Sequence, residues 1–131
     1  MTYISERIIV MMVWRVAFHE AFAEEFLALT AEVRRELAAH TVLLEQFGPQ
    51  LRRPYADTLN GSKHANMKEL RFAADDGAWR VAYAFDEQRR AILLVAGDKS
   101  GQSTRRFYRR LIAKADARFS EHLGQQRQGG T

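Results

Sequence analysis

Apolar and polar residues first alternate along Val13-Trp14-Arg15-Val16-Ala17-Phe18-His19, with Trp14, Val16 and Phe18 on one face and Arg15 and His19 on the other. A period of two predicts a strand. The period then lengthens. Phe22, Phe26 and Leu29 recur at i, i+4 and i+7, the spacing of one helix face. Thr30 can cap a second helix whose stripe runs through Val33, Leu37, His40, Leu44 and Phe47, and Gly48-Pro49 ends it. Almost nothing separates the two helices, so they form an αα-hairpin. Residues 50–66 show no period and read as a long loop, a length often tied to function.

Strand periodicity returns over 67–73, then a turn at Asp75-Asp76-Gly77, a strand over 78–86, a turn at Gln88-Arg89 and a strand over 90–97. Ala91-Ile92-Leu93-Leu94-Val95-Ala96 is apolar on both faces, which marks a central strand. Ser103 can cap a last helix that ends near Leu123, with Tyr108, Ile112, Ala115 and Phe119 as its apolar stripe. The order β-α-α-β-β-β-α predicts an α+β fold. A small antiparallel-rich sheet would carry the αα-hairpin and the C-terminal helix. Parity sends Leu70, Phe72, Trp79, Val81, Tyr83 and Phe85 to the helix-covered face. Glu69, Arg71, Arg80, Ala82 and Ala84 fall on the other face, read as an open groove with cationic walls.

A length of 131 residues suits one domain. The expected division is a single domain over 12–123, an N-terminal extension over 1–11 and a flexible polar tail over 124–131. Met12 is a candidate natural start; alternatively Ile8, Ile9 and Val10 lengthen the first strand. The absence of cysteine excludes disulfides and thiolate metal sites. No apolar run is long enough to span a membrane, and the first residues lack the grammar of a signal peptide, so a cytoplasmic location is expected. The net charge of +4 is unevenly spread: residues 1–48 carry −3, residues 49–110 carry +6 and residues 111–131 carry +1. A basic half of this kind is the footprint of a polyanionic partner, RNA, DNA or an acidic protein.

The segments Leu59-Asn60-Gly61-Ser62-Lys63-His64, Lys68-Glu69-Leu70-Arg71, Trp79-Arg80-Val81-Ala82-Tyr83 and Leu94-Val95-Ala96-Gly97-Asp98-Lys99 precede a basic helix with Tyr108. In that order and spacing, over about residues 12–123, the chain resembles the RelE/ParE toxin superfamily, in its HigB-type, phage-derived branch. The resemblance implies a type II toxin neutralised by a cognate antitoxin, expected to be a small helix-turn-helix protein. It implies metal-independent cleavage of mRNA on the ribosome, with no cofactor. A ParE-like inhibitor of DNA gyrase and an inactive relic that only binds antitoxin are the alternatives on the same fold.

Such cleavage uses the substrate's own 2′-hydroxyl as nucleophile, so the protein must move protons and neutralise charge at phosphorus. Arg80 matches the strand arginine that the resemblance aims at the scissile phosphate, and Arg71 a basic position on the preceding strand. Both could instead form ion pairs on the strands. Tyr108 matches an aromatic of the C-terminal helix that stacks on a base or serves acid–base chemistry; it also belongs to the apolar stripe. His64 is the only histidine in the basic segment and a candidate acid or base. Lys63, Lys68, Lys99, Arg105, Arg106 and Arg109 are candidate substrate-binding cations. Arg105, Arg106, Arg109 and Arg110 crowd the start of a helix, where cations oppose its dipole, so a bound anion or acidic partner accounts for them. Asp98 beside Lys99 departs from the more basic pattern of the family.

Overall fold

In the computed structural model, residues 14–129 are described. The assignments of 1–11 as an extension and of Met12 as a start lie outside them. Strand β1 (Arg15–Phe18) leads into helix α1 (Glu20–Leu27) and helix α2 (Ala31–Phe47). A 3-10 turn (Gly48–Gln50) follows, then β2 (Ala56–Thr58), β3 (Lys68–Ala74), β4 (Gly77–Phe85), β5 (Arg90–Asp98) and helix α3 (Thr104–Gly129). The sheet order is β1-β5-β4-β3-β2, with β1 parallel to β5 and the other pairs antiparallel.

Local chemistry sets the boundaries. His19 caps α1, its Nδ1 accepting from the Ala21 N–H at 3.1 Å. Thr30 caps α2 by accepting from the Val33 N–H at 3.3 Å. Ser103 caps α3, accepting from the Arg106 N–H at 3.3 Å. The β3–β4 turn places Asp75 and Asp76 at φ 48° and 59°, the left-handed pair of a two-residue hairpin.

Four expectations need correction. First, the stretch 50–66 is not a plain loop: Ala56–Thr58 pairs with β3 through Ala56↔Leu70 and Thr58↔Lys68, which makes the sheet five-stranded. Three residues are too few to show a period. Second, Phe47 leaves the α2 stripe and is 49% exposed. The buried place on that turn goes to Gly48, whose missing Cβ lets the Trp14 indole pack against the backbone. Third, α3 does not stop near Leu123 but continues through Gly129, and Gln126 Nε2 donates to Asp86 Oδ2 at 3.1 Å. Its buried line is Phe107, Leu111, Ala115 and Phe119, so Tyr108 and Ile112 flank the stripe.

The fourth correction concerns the sheet faces. The residues sort as parity requires: Leu70, Phe72, Val81, Tyr83 and Leu93 pack under α1 and α2. A bulge at Ala82/Tyr83 turns both Leu94 and Val95 into the second core beside Ala82, Ala84 and Ile92. That second face is not open. Helix α3 roofs it, and Gly97 makes this possible, since an added Cβ there would come within 2.9 Å of the Phe107 ring. Arg80, expected on a groove wall, is therefore 7% exposed.

Candidate active site

The strand register sets Arg71 directly opposite Arg80 and Glu69 opposite Ala82, all beneath the first turns of α3. Two like charges face to face on neighbouring strands are unfavourable by themselves. Glu69 resolves the conflict. Its Oε2 accepts from Arg71 Nη1 at 2.7 Å, and its Oε1 lies 3.9 Å from Arg80 Nε. Tyr108 reaches down from α3 and donates its hydroxyl to Glu69 Oε1 at 2.8 Å. Arg80 Nε donates to the Tyr108 oxygen at 3.2 Å, and Arg80 Nη1 to the Trp79 carbonyl at 2.9 Å. Ala82 contributes only a methyl opposite Glu69, which leaves room for the phenol.

The cluster thus holds two guanidiniums, one carboxylate and one phenol. Glu69 is 3% exposed, while the Arg71 side chain keeps 21% of its surface open to solvent. Burial pushes the Tyr108 hydroxyl above its ordinary pKa; the bond to the Glu69 carboxylate adds to this, and Arg80 opposes it. Tyr108 therefore carries its proton at neutral pH. A fixed pair of arginines suits a phosphate, and a carboxylate sharing a proton with a phenol suits acid–base work.

Of the sequence-derived candidates, the structure brings together Arg71, Arg80 and Tyr108. It does not bring His64 to them. The His64 ring edge meets Phe119, and its Nε2 lies 3.0 Å from Ser120 Oγ. Ser120 follows Tyr108 by twelve residues on α3, about 18 Å along the axis. The loop before β3 is pinned there as well: Ser62 Oγ donates to Asp116 Oδ1 at 2.5 Å and the Lys63 N–H to Asp116 Oδ2 at 3.1 Å. Lys68 shares the parity of Leu70 and so lies on the opposite face, its Nζ 3.5 Å from the Pro49 carbonyl. Neither residue can join the Arg80 cluster.

Lys99 is half-buried just after β5, its N–H donating to the Ala78 carbonyl at 2.8 Å. Asp98 is used structurally: its Oδ1 accepts from the Ala78 N–H at 3.0 Å and the Ser100 N–H at 2.9 Å. Arg105, Arg106, Arg109 and Arg110 are exposed on the turns of α3 that carry Tyr108. The residue that sequence reasoning passed over is Glu69. Its parity with Arg71 and Arg80 was the available signal.

A hairpin of helices on one face of this sheet and a long helix on the other form a RelE-type fold. The structure superposes on an Escherichia coli RelE toxin variant in the free state with TM-score 0.60, at 16% identity over 82% of this chain and 98% of that one. A chain of the archaeal RelE–RelB complex from Pyrococcus horikoshii superposes with TM-score 0.51, at 19% identity over 70% of this chain and 100% of that one. Within that fold, residues 24–120 match the family described as "Phage derived protein Gp49-like (DUF891)", and the chain belongs to it. Among its relatives is the putative toxin HigB3 of Mycobacterium tuberculosis, 41% identical over 105 residues, which are 80% of this chain and 90% of that protein. The putative toxin HigB2 of the same organism is 46% identical over 84 residues, 63% of this chain. The match spans 41% of HigB2's own length.

Proposed function

We propose that the protein is the toxin of a type II toxin–antitoxin pair and acts as a metal-independent, ribosome-dependent mRNA endonuclease. Its toxin relatives and shared fold support the first statement. The observation that carries the second is the opposition of Arg71 and Arg80 across two strands, with Glu69 and Tyr108 hydrogen-bonded between them.

In this reading the RNA 2′-hydroxyl attacks the adjacent phosphorus. Glu69 takes the hydroxyl proton, and Arg80 and Arg71 hold the phosphate oxygens as charge grows on them. Tyr108 gives its proton to the departing 5′-oxygen. The products are a 2′,3′-cyclic phosphate and a 5′-hydroxyl. The proton on Glu69 then returns to Tyr108 across the 2.8 Å bond that joins them at rest, which restores the site. Lys63, Lys99, Arg105, Arg106 and Arg109 are exposed or half-exposed and suit phosphates of the mRNA and ribosomal RNA. A cognate antitoxin, of helix-turn-helix type by the family resemblance, would mask this basic surface. Among the described residues no helix is long and apolar enough to cross a membrane. The proposed place of action is the cytoplasm, where ribosomes are.

The test is controlled expression in bacteria with mapping of mRNA 5′ ends. New cuts within translated frames are expected, reduced about 100- to 1,000-fold by Arg80→Ala. Growth arrest with intact mRNA and an SOS response would replace this reading with gyrase inhibition. Soluble folded protein with no arrest would leave only antitoxin binding.

A further inference from the structure

The strand register carries a row of charges past the Arg80 cluster to the edge of the sheet. Asp57 on β2 stands directly opposite Glu69 on β3, and Glu69 opposite Ala82 on β4. Directly paired residues share a face, so Asp57 belongs to the face that α3 roofs. The neighbouring pair, Ala56 and Leu70, turns the other way and joins the core under α2. Two carboxylates opposite each other are as unfavourable as two guanidiniums. Arg53 relieves the outer one: its Nε and Nη2 both donate to Asp57 Oδ2 at 2.8 Å. The Arg53 bond, with one from the Thr58 N–H, holds the Asp57 carboxyl below its ordinary pKa, and the charge of Arg71 adds to this. Asp57 is therefore ionised at neutral pH and lies within the field of Arg71. Read from the edge inward, the row is Arg53, Asp57, Glu69, Arg71 and Arg80.

Exposure falls along that row. The Arg53 side chain keeps 67% of its surface open to solvent, Asp57 37%, Arg71 21%, Arg80 9% and Glu69 4%. Ala73, the next residue after Arg71 on the same face, is exposed. The cluster is thus sealed toward β4 and β5 and open at the corner where β2 meets β3. A ligand that reaches Arg71 through this corner passes Arg53 first. The bonds to Asp57 use two of the five N–H donors of the Arg53 guanidinium and leave Nη1 without a partner among the described residues. An exposed ion pair contributes only about 0–1 kcal/mol to stability, so the fold gains little from holding Arg53 there.

We infer that Arg53 is a substrate-binding residue at the mouth of the site: it holds a phosphate of single-stranded RNA next to the scissile one, and Asp57 is the positioning residue that presents it. The identity of this ligand rests on the nuclease reading above. From β2 to β4 the row spans two strand spacings, about 10 Å. One RNA strand can therefore meet Arg53 and the Arg71–Arg80 pair with neighbouring phosphates. A contact one phosphate away from the reacting bond orients that bond in the cluster.

The experiment uses the full chain and a single-stranded 2′-O-methyl hexaribonucleotide carrying 4-thiouridine, which cannot be cut because its nucleophile is blocked. Binding is read by fluorescence anisotropy at several salt concentrations, and contacts by photo-crosslinking and mass spectrometry. Arg53→Gln should weaken binding about tenfold and lower the salt slope by about 0.7, the share of one phosphate on a single strand. Arg35→Gln, the same loss of charge on α2 across the sheet, should change affinity less than about twofold. Asp57→Asn removes a negative charge, so bulk electrostatics alone would tighten RNA binding; loss of the oriented guanidinium should weaken it instead. Crosslinks within residues 53–57 are expected. Both side chains of the pair are exposed, so unchanged thermal melting of the variants separates lost contact from lost fold. An Arg53→Gln variant that binds as well as Arg35→Gln, tighter binding by Asp57→Asn, or crosslinks confined to α3 would overturn the inference. Because binding is read without cleavage, the two readings fail separately. RNA held through Arg53 by a chain that cuts nothing would sink the nuclease and keep the contact.

Discussion

Replacing Glu69 with Gln is the sharpest test of how the Arg80 cluster is held together. The substitution keeps the side chain's size and leaves Tyr108 an oxygen to donate to, so the change is almost purely electrostatic. At an effective dielectric of about 20, the carboxylate attracts Arg71 at 2.7 Å by about 6 kcal/mol and Arg80 at 3.9 Å by about 4 kcal/mol, before desolvation is subtracted. Desolvating Glu69, which is 3% exposed, cancels much of this. What survives is the cost of leaving partners unpaired, about 3–5 kcal/mol for a fully buried pair. Arg71 keeps some solvent contact, so about 3 kcal/mol is expected for Glu69→Gln. A chain of 131 residues has a total stability of about 7–20 kcal/mol, so the variant should still fold. Urea unfolding followed by circular dichroism measures it. With m near 2 kcal/mol/M, the midpoint should fall by about 1.5 M at constant m. Adding Arg71→Gln removes one of the two opposed charges and should restore about 1 kcal/mol or more. If Glu69→Gln lies within about 0.5 kcal/mol of the parent, or the second change only adds further loss, Glu69 is not what reconciles the arginines.

Three further outcomes are expected. Tyr83 is fully buried, and its hydroxyl has no hydrogen-bond partner among the described residues, so Tyr83→Phe should stabilise the protein by about 1 kcal/mol and raise its melting temperature by about 3–5 °C in calorimetry. Gly48 sits at φ 54° with the Trp14 indole where a Cβ would go, so Gly48→Ala should cost about 2 kcal/mol or more in urea unfolding. Burial pushes the Asp86 carboxyl up, but hydrogen bonds from His122 and Arg90 outweigh it and hold the folded-state pKa below 3.8. A depressed carboxylate contributes fully above its unfolded value and loses that contribution as pH falls through the folded one, so stability should drop below about pH 4 and Asp86→Asn should flatten that drop in urea titrations between pH 2 and 7.

Much of the fold was legible because it rests on local periods and caps. The α2 stripe through Val33, Leu37, His40 and Leu44, the caps at Thr30 and Ser103 and the β3–β4 hairpin all lie where pattern places them. The misses share one cause: they depend on contacts between distant segments. β2 is only three residues long and exists because β3 offers an edge. Phe47 turns outward because Trp14 claims the space at Gly48. The first two positions of the α3 stripe are displaced by one residue, to Phe107 and Leu111, because Gly97 opens a seat for Phe107, and that displacement aims Tyr108 at Glu69, while Ala115 and Phe119 lie where the pattern places them. Parity could group Glu69 with Arg71 and Arg80, but it could not show a helix closing over them. Hence a face read as an open groove is a roofed cluster, and His64, adjacent in sequence to that cluster's strand, is carried off to Ser120.

Two local rules are broken at this end of the molecule. Arg71 faces Arg80 across a strand pair, and Arg105, Arg106, Arg109 and Arg110 gather where the α3 dipole is already positive. Natural sequences tolerate such conflicts mainly where function demands them. Glu69 relieves the first conflict inside the fold. Among the described residues no carboxylate pairs with the second group. A polyanion laid across the start of α3 would relieve it and would bring its backbone to the rim of the Arg80 cluster. The proposed RNA substrate meets both conditions with one chain: phosphates for the exposed arginines, and one phosphate for the pair beneath Tyr108. The resulting complex should weaken steeply with salt, because several phosphates are neutralised at once. Affinity indifferent to ionic strength would break the link between the exposed arginines and the buried pair.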